Sequence, residues 1–178
     1  DDGDLTAWWP GPAMAGCMPE KIGESLAREM EAFYDQGMFA NGLCAIQTDQ
    51  LHTLEEGIQC LGQCLTLFPG SPKYMERAME NARGLHYVTG YNEKGHRHVL
   101  SGYYSGTRIA REAPWDYSAS DSFHVFHPTY MLVRYNGSPK ARRLMLETAD
   151  SMLEHYYDGR LDVLVNVTTD EDQVHERT

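Results

Sequence analysis

Basic side chains are scarce in this chain: 15 Lys and Arg stand against 26 Asp and Glu, giving a formal charge of −11 over 178 residues. Phosphate binding needs a clustered basic face, so no nucleic-acid partner is expected. Long apolar runs are missing too, none approaching the roughly 20 residues of a membrane helix. No membrane partner is therefore expected, and hydrophobic residues at 42% with charged residues at 23% are ordinary globular values. Cysteine is sparse. Cys17, Cys44, Cys60 and Cys64 form neither a CxxC metal pair nor the density of a disulfide scaffold. Cys60 and Cys64, one helical turn apart, read as two small residues on a packed face. The HExxH signature of a zinc-binding helix is absent. A signal segment is not visible, and the start at Asp1 without Met suggests a processed or trimmed chain.

The length suits one domain. Residues 1–18, with Trp8-Trp9-Pro10-Gly11-Pro12, read as an irregular arm, because proline and glycine interrupt any ladder. A repeated unit follows. Pro19 to Gly37, Pro72 to Gly90 and Pro139 to Gly159 each open with proline and close with glycine, the usual asymmetry of helix termini. The first carries Ile22, Leu26, Met30, Phe33 and Tyr34 at helical spacing, and an identical Gly-Ser-Pro-Lys precedes the other two at residues 70–73 and 137–140. A partner helix is predicted before each. One starts at Thr48 or Asp49 and carries Leu51, Leu54, Ile58, Leu61, Leu65 and Phe68. Another runs from about Ser120 to Tyr135, kinked or begun near Pro128. Leu161 to Val167 alternates like a strand, and the polar tail 168–178 reads as loose.

Two successive inner helices open on the same pattern, Asp49-Gln-Leu-His52 and Asp121-Ser-Phe-His124. With that echo, residues 19–159 resemble the (α/α) toroid of uronic-acid-specific polysaccharide lyases and the related six-hairpin glycosidases. The resemblance implies a mainly all-α fold of antiparallel helical hairpin repeats with a short C-terminal β segment at 160–178. It makes residues 91–119 an active-site insertion forming a long rim loop. The chain has fewer hairpins than a full toroid, so association with further hairpins or another chain is expected. The resemblance further implies cleavage of an acidic polysaccharide or oligosaccharide by β-elimination, no required cofactor, and a secreted or periplasmic setting.

Such elimination needs a group to neutralise the C5 carboxylate, one to remove the C5 proton and one to protonate the leaving oxygen. Lys94, Arg97, Arg108 and Arg111, with His96 and His98 and no acid between them, could supply a local positive patch or a solvated basic loop. Tyr104, His124, His52 and Arg108 are the candidate catalytic residues. Asn41, Asp49, Tyr103, Arg97, Trp115, Tyr117 and Asp121 are the candidate substrate-binding residues. Each of His52 and His124 has an aspartate three residues earlier, which can orient the imidazole. A metal reading draws on His96, His98, His124 and His127, with Zn or Mn as the ion. Two other classes compete. A glycosidase would use paired carboxylates from Asp49, Glu55, Glu56, Asp116 and Asp121 beside Trp115 and Tyr117. A non-catalytic helical-repeat module would bind a glycan or protein on its concave face.

Overall fold

A computed structural model describes residues 16, 18–53, 58–160 and 162–175. The arm with Trp8-Trp9, and the positions Cys17, Leu54, Glu55, Glu56 and Leu161, lie outside the described residues. Helices start at the three prolines: α1 spans Pro19–Asp35, and the later two, Pro72–Val88 and Pro139–His155, also have 17 residues each. A proline here sacrifices no intrahelical bond, since the first amide is unpaired in any helix. At the C-terminus of α1 the chain turns through Gly37 at φ +70°, with the Gly37 and Met38 amides donating to the Tyr34 and Phe33 carbonyls.

Between the helices the chain departs from the expected hairpin array. The fold is about 52% helix and 16% strand, the strands falling in short antiparallel pairs, so it is mixed α/β rather than mainly all-α. After α1 come β1 (Phe39–Ala40) and β2 (Leu43–Cys44), paired as a hairpin, then β3 (Thr48–Asp49). The single helix expected from Thr48 to Phe68 is instead that strand, a short α2 (Gln50–Thr53) and α3 (Gln59–Leu67). Helix α4 (Pro72–Val88) leads into β4 (Thr89–Tyr91), which pairs with β5 (Arg97–Val99). Strand β6 (Tyr103–Tyr104) pairs back to β3, and β7 (Tyr117–Ser118) pairs with the distant β10 (Val167–Thr168). Residues 91–119 are therefore not a free rim loop, because backbone ladders stitch them to three other parts of the chain.

A 3₁₀ turn at Ser122–Phe126 precedes α5 (His127–Asn136), which carries Pro128 in its first turn. Then come α6 (Pro139–His155), β8 (Tyr157–Asp158), and β9 (Val163–Leu164), its partner. The predicted strand Leu161 to Val167 is thus divided between two sheets. The tail also differs: Val174 bridges to Val167, so residues to 175 are anchored. No helix among the described residues is long and apolar enough to cross a membrane.

Two apolar clusters hold these pieces. Ile22, Leu26, Met30 and Phe33 of α1 meet Cys60, Leu61, Cys64 and Leu65 of α3, with Tyr74 and Ala78 of α4 and Leu132 of α5. Cys60 and Cys64 are buried and unbridged there. The second cluster joins Leu43, Ile58, Leu85, Val88, Val99, Tyr104, Phe126 and Leu144, and so lies beneath the strand pairs. Close backbone approach locks this region: a Cβ on Gly106 would lie 1.7 Å from the Ala40 carbonyl oxygen. Gly106 also donates to the Cys44 carbonyl at 2.8 Å and accepts from Asn41 Nδ2 at 2.9 Å. Gly106→Ala is expected to lower unfolding stability by about 3 kcal/mol. Gly159→Ala, whose Cβ would meet only Tyr157 at 3.6 Å, serves as the near-neutral control in the same urea titration.

Candidate functional site

The β3–β6 ladder sets Asp49 opposite Tyr103 and Thr48 opposite Tyr104. Successive residues of a strand point to opposite faces. Tyr104 accordingly goes into the core with no exposed surface, while Tyr103 stays half-buried at the rim. Next to this joint is a cleft of about 410 Å³, lined by Asp49, Gln50, Leu51, His52, Gly102, Trp115, Tyr117, Ala119, Ser120, Asp121 and Asn166. It is large enough for a few sugar units or a small organic molecule.

Asp49 does two jobs at the edge of this cleft. Its Oδ1 accepts the amides of Leu51 and His52 at 3.1 Å each, capping α2. The same carboxylate contacts His52 Nδ1 at 3.0 and 2.9 Å. Burial pushes the Asp49 carboxyl upward, but the His52 backbone and side-chain bonds and the Leu51 amide outweigh it and hold it below its ordinary value. An ionised carboxylate can only accept, so Nδ1 carries the proton that faces Asp49. That is the tautomer a general base requires.

The floor and far wall are fixed by buried polar bonds and stacked rings. Gln50 Nε2 donates to the Ser101 carbonyl at 3.0 Å, and its Oε1 accepts from Ser122 Oγ at 2.6 Å. Trp115 stacks on Tyr103 with centroids 4.7 Å apart, and its carbonyl accepts the Gly102 amide at 3.0 Å. Tyr117 stacks on His175 at 4.5 Å and lies across Gly102, where a Cβ would come within 2.2 Å of the phenol ring. Asn166 Oδ1 accepts the Ser120 amide at 2.9 Å. Among the described residues, Asp49, Asp121 and His52 are the ionisable lining groups besides Tyr117, with no Arg or Lys.

Of the sequence-predicted residues, the cleft gathers Asp49, His52, Trp115, Tyr117 and Asp121, with Tyr103 packed behind Trp115. Tyr104 is elsewhere. Its buried phenol, pushed well above the ordinary value by desolvation, has no access to a substrate in this geometry. Arg97 is 8% exposed; it pairs with Glu147 at 3.1 Å and donates to Tyr91 and Thr89, and it faces a separate cavity shared with His86, Lys140 and Arg143. Arg108 stands exposed in the turn closed by the Ser105 amide and its own carbonyl, outside the cleft lining. Asn41 sits at φ +52° with its side chain spent on Gly106.

The Asp-His echo also separates. Among the described residues Asp121 makes no side-chain bond to His124 comparable to that of Asp49, and His124 instead lines an apolar cavity of about 420 Å³ with His127, Phe123, Phe126, Tyr130 and Met145. His127 lays Nδ1 against Gly62, and the resulting desolvation lowers its pKa. His96 and His98 meet Asp172, at 2.9 and 2.6 Å, far from His127 in the fold's connectivity. The expected four-histidine metal cluster is therefore not assembled. Sequence reasoning missed Gln50, Gly102, Ser120 and Asn166, which only the fold brings into the lining.

The fold is mixed α/β, with a cleft whose described lining is acidic and aromatic. No family model, curated protein or solved structure matches the chain.

The Asp49 cap gives a direct test of this geometry. Asp49→Ala is expected to cost about 1 kcal/mol of stability at neutral pH. Because the folded-state pKa is depressed, the carboxylate's contribution is complete above the unfolded value of about 3.9 and fades as pH falls through the lower folded value. Urea unfolding of parent and variant should therefore converge on acidification, and a gap that widens in acid would contradict the assigned sign.

Proposed function

We propose that the chain binds and hydrolyses a neutral glycan in the Asp49–His52–Trp115–Asp121 cleft. The observation that carries this reading is the placement of an aromatic platform and two carboxyl groups in one cleft whose lining, among the described residues, has neither Arg nor Lys. Trp115, braced by Tyr103, offers an apolar face to a sugar ring, while Asn166, Gln50 and Asp121 offer polar atoms at its edges. His52 is the group assigned to take the proton from an attacking water, and Asp49, bonded to its Nδ1, stabilises the imidazolium that forms. Asp121, the other carboxyl group of the lining, serves as the acid that protonates the departing glycosidic oxygen, while His52 backed by Asp49 serves as the base.

A second reading, β-elimination of a uronic-acid polysaccharide, retains His52 as the base. The basic groups expected to neutralise the uronate lie outside the cleft, with Arg97 in its own ion pair and Arg108 on a turn. An acidic lining disfavours a carboxylated ligand by like-charge repulsion. The acid lining is what favours hydrolysis of a neutral chain over elimination.

Digesting neutral glycans and uronate polymers side by side separates these readings. Hydrolysis gives new reducing ends without ultraviolet absorbance, whereas elimination creates a conjugated double bond that absorbs. The expected result is reducing ends from a neutral glycan, with His52→Ala and Asp121→Asn each lowering kcat by about 10²- to 10⁴-fold. Trp115→Ala should raise KM while leaving kcat nearly intact. Absorbing products from a uronate polymer would return the second reading, and no product from a broad panel would remove both.

A further inference from the structure

We infer that the chain carries a zinc site made by His96, Glu154 and His155, with Asp172 orienting His96 from behind. The inference is independent of the glycan cleft. One ligand atom from each of the three residues lies within 4.8 Å of the others. A tetrahedral ion with bonds of about 2.0–2.1 Å sets its ligand atoms roughly 3.4 Å apart, so side-chain rotation must close the gap. Glu154, 66% exposed at its side chain, is free to make that movement.

The two imidazoles are presented for coordination. His96 Nδ1 meets the Asp172 carboxylate at 2.9 Å, so Nδ1 holds the proton and Nε2 keeps its lone pair. A carboxylate behind a ligating histidine is the arrangement that fixes tautomer and ring orientation in zinc sites. The His155 ring lies against that of His96, with centroids 4.2 Å apart. Its Nε2 is buried, has no hydrogen-bond partner and stands 3.9 Å from Glu154 Oε2. A buried ring nitrogen without a partner is costly, and a cation supplies the partner. Glu154 and His155 are also the last residues of α6, where the unpaired carbonyls favour positive charge.

His98, the nearest other imidazole, is not a ligand. Its Nε2 donates to Asp172 Oδ1 at 2.6 Å and its Nδ1 accepts from the Tyr156 hydroxyl at 2.9 Å, so both nitrogens are occupied. Lys94 reaches Asp172 at 3.3 Å, and the carboxylate thus stands between that ammonium and the His96 ring. Two nitrogens and one carboxylate oxygen suit a borderline divalent ion, with water completing the tetrahedron. The ion would clamp the end of α6 to the β4–β5 hairpin and, through Asp172, to the segment carrying β10.

The test is zinc titration of the full chain after chelator treatment, followed by calorimetry, with cobalt(II) as a spectroscopic substitute. One equivalent of zinc is expected, and bound cobalt should show the intense visible bands of a tetrahedral site. His155→Ala and Glu154→Gln should each weaken binding at least tenfold, and Asp172→Asn about 10- to 100-fold. His124→Ala, which lines a different cavity, should bind as the parent does. Glu154→Gln alters only an exposed side chain and decides the matter if His155→Ala fails to fold. Absence of stoichiometric zinc binding, or binding unchanged in Glu154→Gln, overturns the inference.

Discussion

The antiparallel pairing of Thr48–Asp49 with Tyr103–Tyr104 is the constraint on which the cleft depends. Two residues on each side suffice because each side chain beyond the ladder has its own anchor. On one face Tyr104 is wedged among Leu43, Ile58, Val88 and Phe126, where burial of a large ring supplies most of the holding force. On the other, Tyr103 backs Trp115, and Asp49 ends its strand by capping α2. A shift of register by one residue would exchange Tyr103 with Tyr104 and bring a phenol hydroxyl into the cleft in place of the platform's support. The buried bonds from Gln50 to Ser101 and Ser122 oppose that shift, since breaking them would strand polar atoms away from water.

What could be read from the sequence was local. Proline at a first helical position and glycine just past an end depend on neighbouring residues alone, so Pro19, Pro72 and Pro139 mark helix starts without knowledge of the fold. Strands of two or three residues carry no usable period, and their partners are far away, so β3, β6 and β7 read as helix and loop, and β10 falls across the end of the predicted strand and the start of the predicted tail. Tyr103 and Tyr104 show the difficulty sharply. Composition treats them alike, and only the pleat decides that one stays at the rim and the other is core. The Asp-His echo was legible at Asp49 and His52 because capping is also local, but at Asp121 a 3₁₀ turn replaces the α-helix and the histidine leaves for another cavity.

Charge was the most misleading signal. Lys94, Arg97 and Arg108 are close in sequence and suggest one basic patch, yet the fold sends them to three environments. A buried guanidinium is tolerated only when its charge and its N–H groups are satisfied. Glu147, Tyr91 and Thr89 do this for Arg97, which makes it a structural residue. Lys94 spends itself on Asp172 and the Glu171 carbonyl. Once these cations are withdrawn, Asp49 and Asp121 face the cleft with no guanidinium or ammonium among its described lining residues. The local field there follows the overall charge of the protein and not the composition of the nearest stretch.

The segment from Asn166 to His175 ties these findings together. From Thr168 onward its polar residues suggest a loose tail, because composition cannot show that the partners of Asp172 wait on β5 and the hairpin before it. Burial pulls the Asp172 carboxyl upward, but bonds from His96, His98 and Lys94 prevail and hold it at about 2, so the acid is ionised and fixed. From that anchor the chain runs back through β10, whose pairing with β7 positions Tyr117, and forward to His175, which stacks on the same ring. Asn166 completes the cleft from the start of the segment. Tyr117 is thus held on three sides, by the β7–β10 ladder, by His175 and by the space that Gly102 leaves open. A cleft wall clamped in this way would lose little ordering entropy on meeting a ligand, and that preorganisation is what the proposed binding of a neutral glycan by stacking and hydrogen bonds requires.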